Sequence, residues 1–196
     1  MTSIPELPQT PAADEDTGLM LQFRDGSTDA FERLVRRNQD RVFKLAQRYL
    51  IDPGRAEDVT QEVFVRVYQS APAYKPTAKF TTWLYRITCN LCLNALRDGK
   101  VRGEVSLSGV NLEDKALEPA ELRDPAEHLG TEELAATITA ALAALPESQR
   151  TALILRRYEE LSYQEIAEAT GGTVSGVKSL LSRARQSLRE SLKQHL

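Results

Sequence analysis

The chain has 196 residues, 41% hydrophobic and 27% charged, with a formal net charge of −3, which is enough for one domain or two small ones with modest cores. Its apolar stretches are interrupted well before the roughly 18 residues that a membrane span needs. Residues 1–16 carry acids and prolines instead of the basic start and apolar run of a secretory signal, so a cytoplasmic protein with no membrane partner is expected.

In chain order, residues 1–18 hold four acids, no base, and Pro5, Pro8 and Pro11, which predicts a disordered acidic tail. Residues 19–98 follow with 13 bases against 9 acids. Here Phe31, Leu34, Val35, Val42, Leu45, Ala46 and Tyr49 recur at helical spacing among several arginines. Asp52-Pro53-Gly54 then breaks the pattern. A second helix follows with Ala56, Val59, Val63, Phe64 and Val67 as its apolar stripe and Glu57, Asp58, Gln61 and Glu62 on its other face. Taken alone, that acidic face reads as solvated surface.

Residues 70–79 include Pro72 and Pro76 and are predicted to be a loop. A third helix is predicted over residues 80–98, ended by Gly99 and Gly103, with Trp83, Leu84, Ile87, Leu91 and Leu96 available to pack. Trp83 and Tyr85 have the chemistry to stack on unpaired bases, yet spacing alone puts Trp83 in the core. Cys89 and Cys92 form a C-x-x-C pair, but there is no third cysteine, and His128 and His195 are remote in sequence. A structural zinc needs four ligands, so the pair reads as packing and no metal or other cofactor is expected.

Residues 99–130 carry 4 bases and 7 acids, lack periodicity, and contain Pro119 and Pro125. They predict a flexible acidic linker over 99–124 between a first unit at 19–98 and a second at 125–196. The second unit opens with Leu134, Ile138, Leu142 and Leu145 on one stripe, closed by Pro146. Another helix follows over residues 147–158. Ser162 and Glu165 then have the spacing of a capping box for a short helix that ends near Thr170. Gly171-Gly172 supply a turn, and Thr173 is placed to cap a last helix to about Leu192.

A short capped helix, a glycine turn and a longer basic helix make a helix-turn-helix pattern, whose second helix suits a major groove. From Gly171 onward there are five bases and one acid. Lys178, Arg183, Arg185, Arg189 and Lys193 offer charge for phosphates, while Ser175, Ser179 and Ser182 allow close approach to base edges. The local charge matters more here than the acidic total. No nucleophile–base set or phosphate-binding glycine loop is present, so no enzymatic activity is expected.

The runs DVTQEVF at 58–64, FTTWLYRITCN at 80–90, LSYQEIA at 161–167 and VKSLLSRAR at 177–185 resemble, in order, those of the extracytoplasmic-function (ECF) sigma factors of the sigma-70 family. The resemblance implies an all-α fold of two small helical domains, the C-terminal one with the helix-turn-helix. It implies that Asp58, Gln61 and Glu62 dock on the clamp helices of the largest subunit of bacterial RNA polymerase core. The loop at 70–79 matches the place where the family holds a flipped base of the −10 element, with Arg66, Trp83, Arg86, Asn90 and Asn94 as −10 contacts. Ser175, Lys178, Ser179, Ser182, Arg183 and Arg185 are implied as −35 contacts.

The implied partners are core polymerase, including the flap of its second-largest subunit, promoter DNA, and an anti-sigma factor of the kind that holds many relatives. Leu180 stands where many relatives have arginine, and Gly176 replaces a usual threonine-like residue. Both departures imply altered recognition of the upstream element. A stand-alone helix-turn-helix regulator binding an operator is the rival reading, and it would leave the acidic face at 58–62 without a role.

Overall fold

The computed structural model describes residues 14–50, 52–102, 137–138 and 140–193, and the regular structure among them is helical throughout. Helix α1, Glu15–Arg24, starts at Asp14, whose carboxylate accepts the Thr17 backbone N–H at 2.6 Å. Folded chain thus begins earlier than the disordered tail expected over residues 1–18 allows; residues 1–13 of that tail lie outside the described residues. The physical reason is tertiary. Asp16 is buried, accepting from Arg37 Nε at 2.7 Å and Asn38 Nδ2 at 3.1 Å, and Thr17 Oγ1 accepts from the Phe80 backbone N–H.

Helix α2, Thr28–Leu50, buries Leu34, Val42, Leu45, Ala46 and Tyr49. Helix α3, Pro53–Ser70, is capped by Asp52, which accepts from Arg55 N, with Pro53 in the first turn where its missing N–H costs nothing. It buries Ala56, Val59, Val63, Phe64 and Val67, the stripe read from the sequence. A single 3₁₀ turn, Ala71–Ala73, follows, and an irregular stretch leads to helix α4, Phe80–Arg102. These four helices pack around Met20, Leu34, Leu45, Phe80 and Leu84, all fully buried.

Helix α4 runs through Gly99 instead of stopping there. The Arg55 guanidinium lies over this glycine, so that a Cβ added at Gly99 would meet it at 2.7 Å, and Arg55 Nη2 donates to the Ala95 carbonyl. The glycine is the room that this contact needs. Residues 99–102, expected in the linker, therefore belong to α4, and residues 103–136 lie outside the described residues.

In the second unit, helical residues at 137–138 and 140–144 precede α5, Glu147–Arg157. Helix α6, Tyr163–Thr170, opens on the capping box: the Ser162 hydroxyl accepts from Glu165 N, and the Glu165 carboxylate accepts from Ser162 N at 2.9 Å. It ends at Gly171, whose φ of 69° is the left-handed conformation that glycine adopts without penalty. Helix α7, Val174–Leu192, is capped by Thr173, which accepts from Gly176 N at 3.1 Å. Leu155, Ile166, Val177 and Leu181 form the fully buried centre of α5–α7.

The two units dock directly. Helix α4 packs against α6, and their buried side chains join one continuous cluster. Cys89 and Cys92 lie in that cluster as free thiols, with the Tyr49 hydroxyl 3.5 Å from Cys89 Sγ. Burial pushes the Cys89 thiol up to about 12 and raises Cys92 as well. Among the described residues no group of three metal-ligating side chains assembles, and no helix is long and apolar enough to cross a membrane.

Candidate nucleic-acid and polymerase interfaces

Helix α3 buries its valine and phenylalanine stripe, which turns Asp58 and Gln61 outward and leaves Glu62 half-exposed. The same outward face continues to Val65 and Tyr68, 45% and 56% exposed. Positions 58, 61, 62, 65 and 68 keep the three-four spacing of one helical face. Reading the sequence for acids and amides missed Val65 and Tyr68, although the continuation of that spacing was there to see. Tyr68 is not loose: its ring lies 5.1 Å from that of Phe23 and 5.4 Å from that of Phe31. Val65 and Tyr68 thus add exposed apolar surface to the acid-and-amide face of α3.

Arg66 Nε donates to Glu62 at 2.7 Å, one turn away. The pair is exposed and therefore worth only a few tenths of a kcal/mol, so either partner is readily released to a ligand.

Helix α4 presents Arg86, Asn90 and Asn94 to solvent at i, i+4 and i+8, a single polar row. Trp83 extends this row toward the N-terminus of the helix but is only half-exposed. Its ring packs 5.1 Å from Tyr74 and 5.6 Å from Phe80. The indole thus also fixes the stretch between the 3₁₀ turn and α4, because Tyr74 is the buried anchor of that segment.

Helix α7 buries Val177, Leu181 and Ala184. That face fixes the opposite one: Ser175, Lys178, Ser182, Arg183 and Arg185 are exposed and Ser179 is half-exposed. Arg183 Nη2 donates to Ser179 Oγ at 2.8 Å, which holds the guanidinium along the helix. Leu180 is partly buried against the core, so the position carries packing in place of a charge. Gly176 sits beside its own N-cap, where an added Cβ would meet Thr173 Oγ1 at 3.2 Å.

Residues 34–102 match the family profile of Sigma-70 region 2, and residues 135–188 match that of Sigma-70, region 4. The ECF RNA polymerase sigma factor SigE of Mycolicibacterium smegmatis is 38% identical over 186 residues, covering 93% of this chain and 70% of the relative. The chain belongs to the ECF sigma factors of the sigma-70 family. SigW of Bacillus subtilis, another ECF sigma factor, is 33% identical, covering 88% of this chain and 94% of its own. Among solved structures, CnrH in complex with the cytosolic domain of CnrY is similar with a TM-score of 0.67 at 25% identity, over 92% of this chain and 99% of that one. The sigma factor RpoE of Bartonella quintana, solved with the anti-sigma factor NepR, shares the fold at a TM-score of 0.61 and 23% identity, over 83% and 96% of the two chains.

As a member of this family the sigma factor directs promoter-specific initiation by RNA polymerase. The region 2 match closes on Arg102, the last residue of α4, and the region 4 match takes in α5, α6 and nearly all of α7. A stand-alone operator-binding regulator would need only the second of these.

Proposed function

We propose that this sigma factor binds core polymerase through the α3 face of Asp58, Gln61 and Glu62, widened by Val65 and Tyr68, onto the clamp helices of the largest subunit. Arg66, Trp83, Arg86, Asn90 and Asn94 then contact the −10 element, with the segment at 70–79 receiving the flipped base. Extruding that base costs a few kcal/mol, which a shaped pocket and stacking offset. Ser175, Lys178, Ser179, Ser182, Arg183 and Arg185 contact the −35 element, and the C-terminal unit also meets the flap of the second-largest subunit. The protein acts in the cytoplasm, as a specificity subunit without catalysis of its own, and an anti-sigma factor is its natural restraint.

The observation that carries this reading is the division of labour on α3, α4 and α7. On each helix the apolar stripe is consumed by the core, and the polar row turned outward is the one the family's roles require. Each DNA contact is modest, and tethering both on one polymerase raises their effective concentration. Run-off transcription with purified bacterial core polymerase on a genomic fragment library tests it. Discrete start sites that need the protein and share two upstream elements are expected. No new starts and no binding to a core enzyme that is active with another sigma factor would overturn the reading.

A further inference from the structure

Cys89 and Cys92 are nucleophiles that the polymerase and DNA faces leave unused. Both are free thiols, 4% and 0% exposed. Set three residues apart on α4, they share one helical row with Tyr85 and Leu96. That row lies along the seam between the two units. At its start the Tyr85 hydroxyl donates to Glu159 of the C-terminal unit at 2.5 Å, and just past its end Arg97 pairs with Glu147 of the same unit at 2.6 Å. Between these contacts the charges of Glu159 and Arg150, both on the C-terminal unit, act on Cys89 and Cys92 respectively. On the other side the Tyr49 hydroxyl of α2 donates to Cys89 Sγ at 3.5 Å. The thiols are thus shut in by two units at once, and separating the units removes half of their cover.

The two sulfurs are also placed where a bond between them would be felt. Side chains three positions apart on a helix have Cβ atoms about 5–6 Å apart, whereas a disulfide needs about 3.5–4.5 Å. Joining Cys89 to Cys92 therefore requires this turn of α4 to distort and both sulfurs to leave their packed positions. Those positions belong to the buried cluster that runs through both units. Close-packed interiors absorb such a change poorly.

We propose that Cys89 and Cys92 are an oxidation site, which hydrogen peroxide converts to an internal disulfide when the two units stand apart, and that the bond then keeps α4 from seating the C-terminal unit again. The first thiolate attacks one peroxide oxygen and the O–O bond breaks. Hydroxide leaves and takes up a proton as water, and the sulfur becomes a sulfenic acid. The second thiolate attacks that sulfur, the S–S bond forms, and the hydroxyl departs with a proton as a second water. The thiols lose two electrons in all, and the peroxide gains them. In the docked chain burial raises both thiols, which withholds the reactive thiolate until water reaches them.

The test adds hydrogen peroxide to the full chain, as wild type and as E147Q/E159Q, whose glutamines keep the side-chain shapes but weaken the seam. Mass spectrometry of the tryptic peptide 87–97, which holds both cysteines of the chain, identifies the product. The disulfide is lighter than the dithiol by two hydrogens, and sulfinic acids are heavier. With opening fast relative to oxidation, the rate follows the open population, so a variant that opens tenfold more often oxidises about tenfold faster, to the same internal disulfide.

Small-angle scattering then reads the consequence. Oxidised wild type is expected to have a larger radius of gyration than the reduced chain, and dithiothreitol should restore the smaller value. C89S and C92S should each show no expansion on treatment with peroxide. Sulfinic acids or cross-linked chains as the product, equal rates in wild type and E147Q/E159Q, or oxidised wild type of unchanged dimensions would each overturn the proposal. The wild-type scattering does not depend on how any variant folds.

Discussion

Lys79, just before α4, holds Glu165, in the first turn of α6, through an ion pair of 2.8 Å that joins the two units. Glu165 also accepts from the Ser162 backbone. The Lys79 hydrogen bond, followed by that of Ser162, holds the Glu165 carboxyl at about 2, below its ordinary value of 4.5. A depressed folded-state pKa stabilises the fold fully above the ordinary value, and that contribution is lost as pH falls from there toward 2. Urea titrations of wild type and E165Q should therefore differ by a constant amount near neutrality, with the difference shrinking through that acid window. A difference independent of pH down to 2 would show that the carboxylate charge is not what stabilises.

Asp16 ties α1 to α2, and its removal leaves the buried Asn38 amide with only the Leu34 carbonyl as acceptor. Asp16→Ala is expected to destabilise the chain by about 1–3 kcal/mol. That corresponds to a fall in Tm of several degrees for a chain of this size, measured by thermal unfolding under circular dichroism.

The thiols of Cys89 and Cys92 are buried and their pKa values raised. Neither should react with a thiol-specific disulfide reagent at mildly alkaline pH in the native chain, and both should react at once in denaturant. Arg150 lies close enough to Cys92 to act on its charge. Loss of that cation in R150Q raises the Cys92 pKa further, so R150Q should leave the native thiols unreactive unless it opens the seam.

On α7, Lys178 and Arg183 are exposed on the side opposite Val177 and Leu181. Lys178→Ala should weaken upstream-element binding of the polymerase complex and reduce the slope of log K against log salt by about 1, the signature of one lost phosphate contact. A variant with an unchanged slope would remove Lys178 from the interface. Footprinting across a salt series reads both.

On α3, replacing Gln61 and Glu62 together by alanine should lower affinity for core polymerase about tenfold, equivalent to about 1.4 kcal/mol. Thermal stability should change little, because both side chains lie on the outer face. Tyr68→Ala should also weaken core binding, with some loss of stability from its contacts to Phe23 and Phe31. Titration of labelled protein into core enzyme separates the two effects.

Local chemistry made much of this molecule readable in advance. The Ser162 and Thr173 caps, the Gly171 turn and the apolar stripe of α3 appear where their residues predict them. Each depends on neighbours within a turn or two of helix, and such interactions are written in the sequence itself. The exposed rows on α3, α4 and α7 follow from the same periodicity, since fixing the buried face of a helix fixes the outer one.

Contacts between distant residues were decided elsewhere. Helix α1 could not be read from an acidic, proline-led stretch, because Asp16 is folded in by Arg37 and Asn38 more than twenty positions away. Gly99 resembles a helix end until Arg55 is seen lying over it. The docking of the two units sets Glu147, Glu159 and Glu165, which in the sequence are ordinary surface acids, against Arg97, Arg48 and Lys79 of the other unit. Helix periodicity and capping are properties of a segment, whereas the partner of a charged side chain is a property of the whole packed chain, and only the tertiary structure determined it.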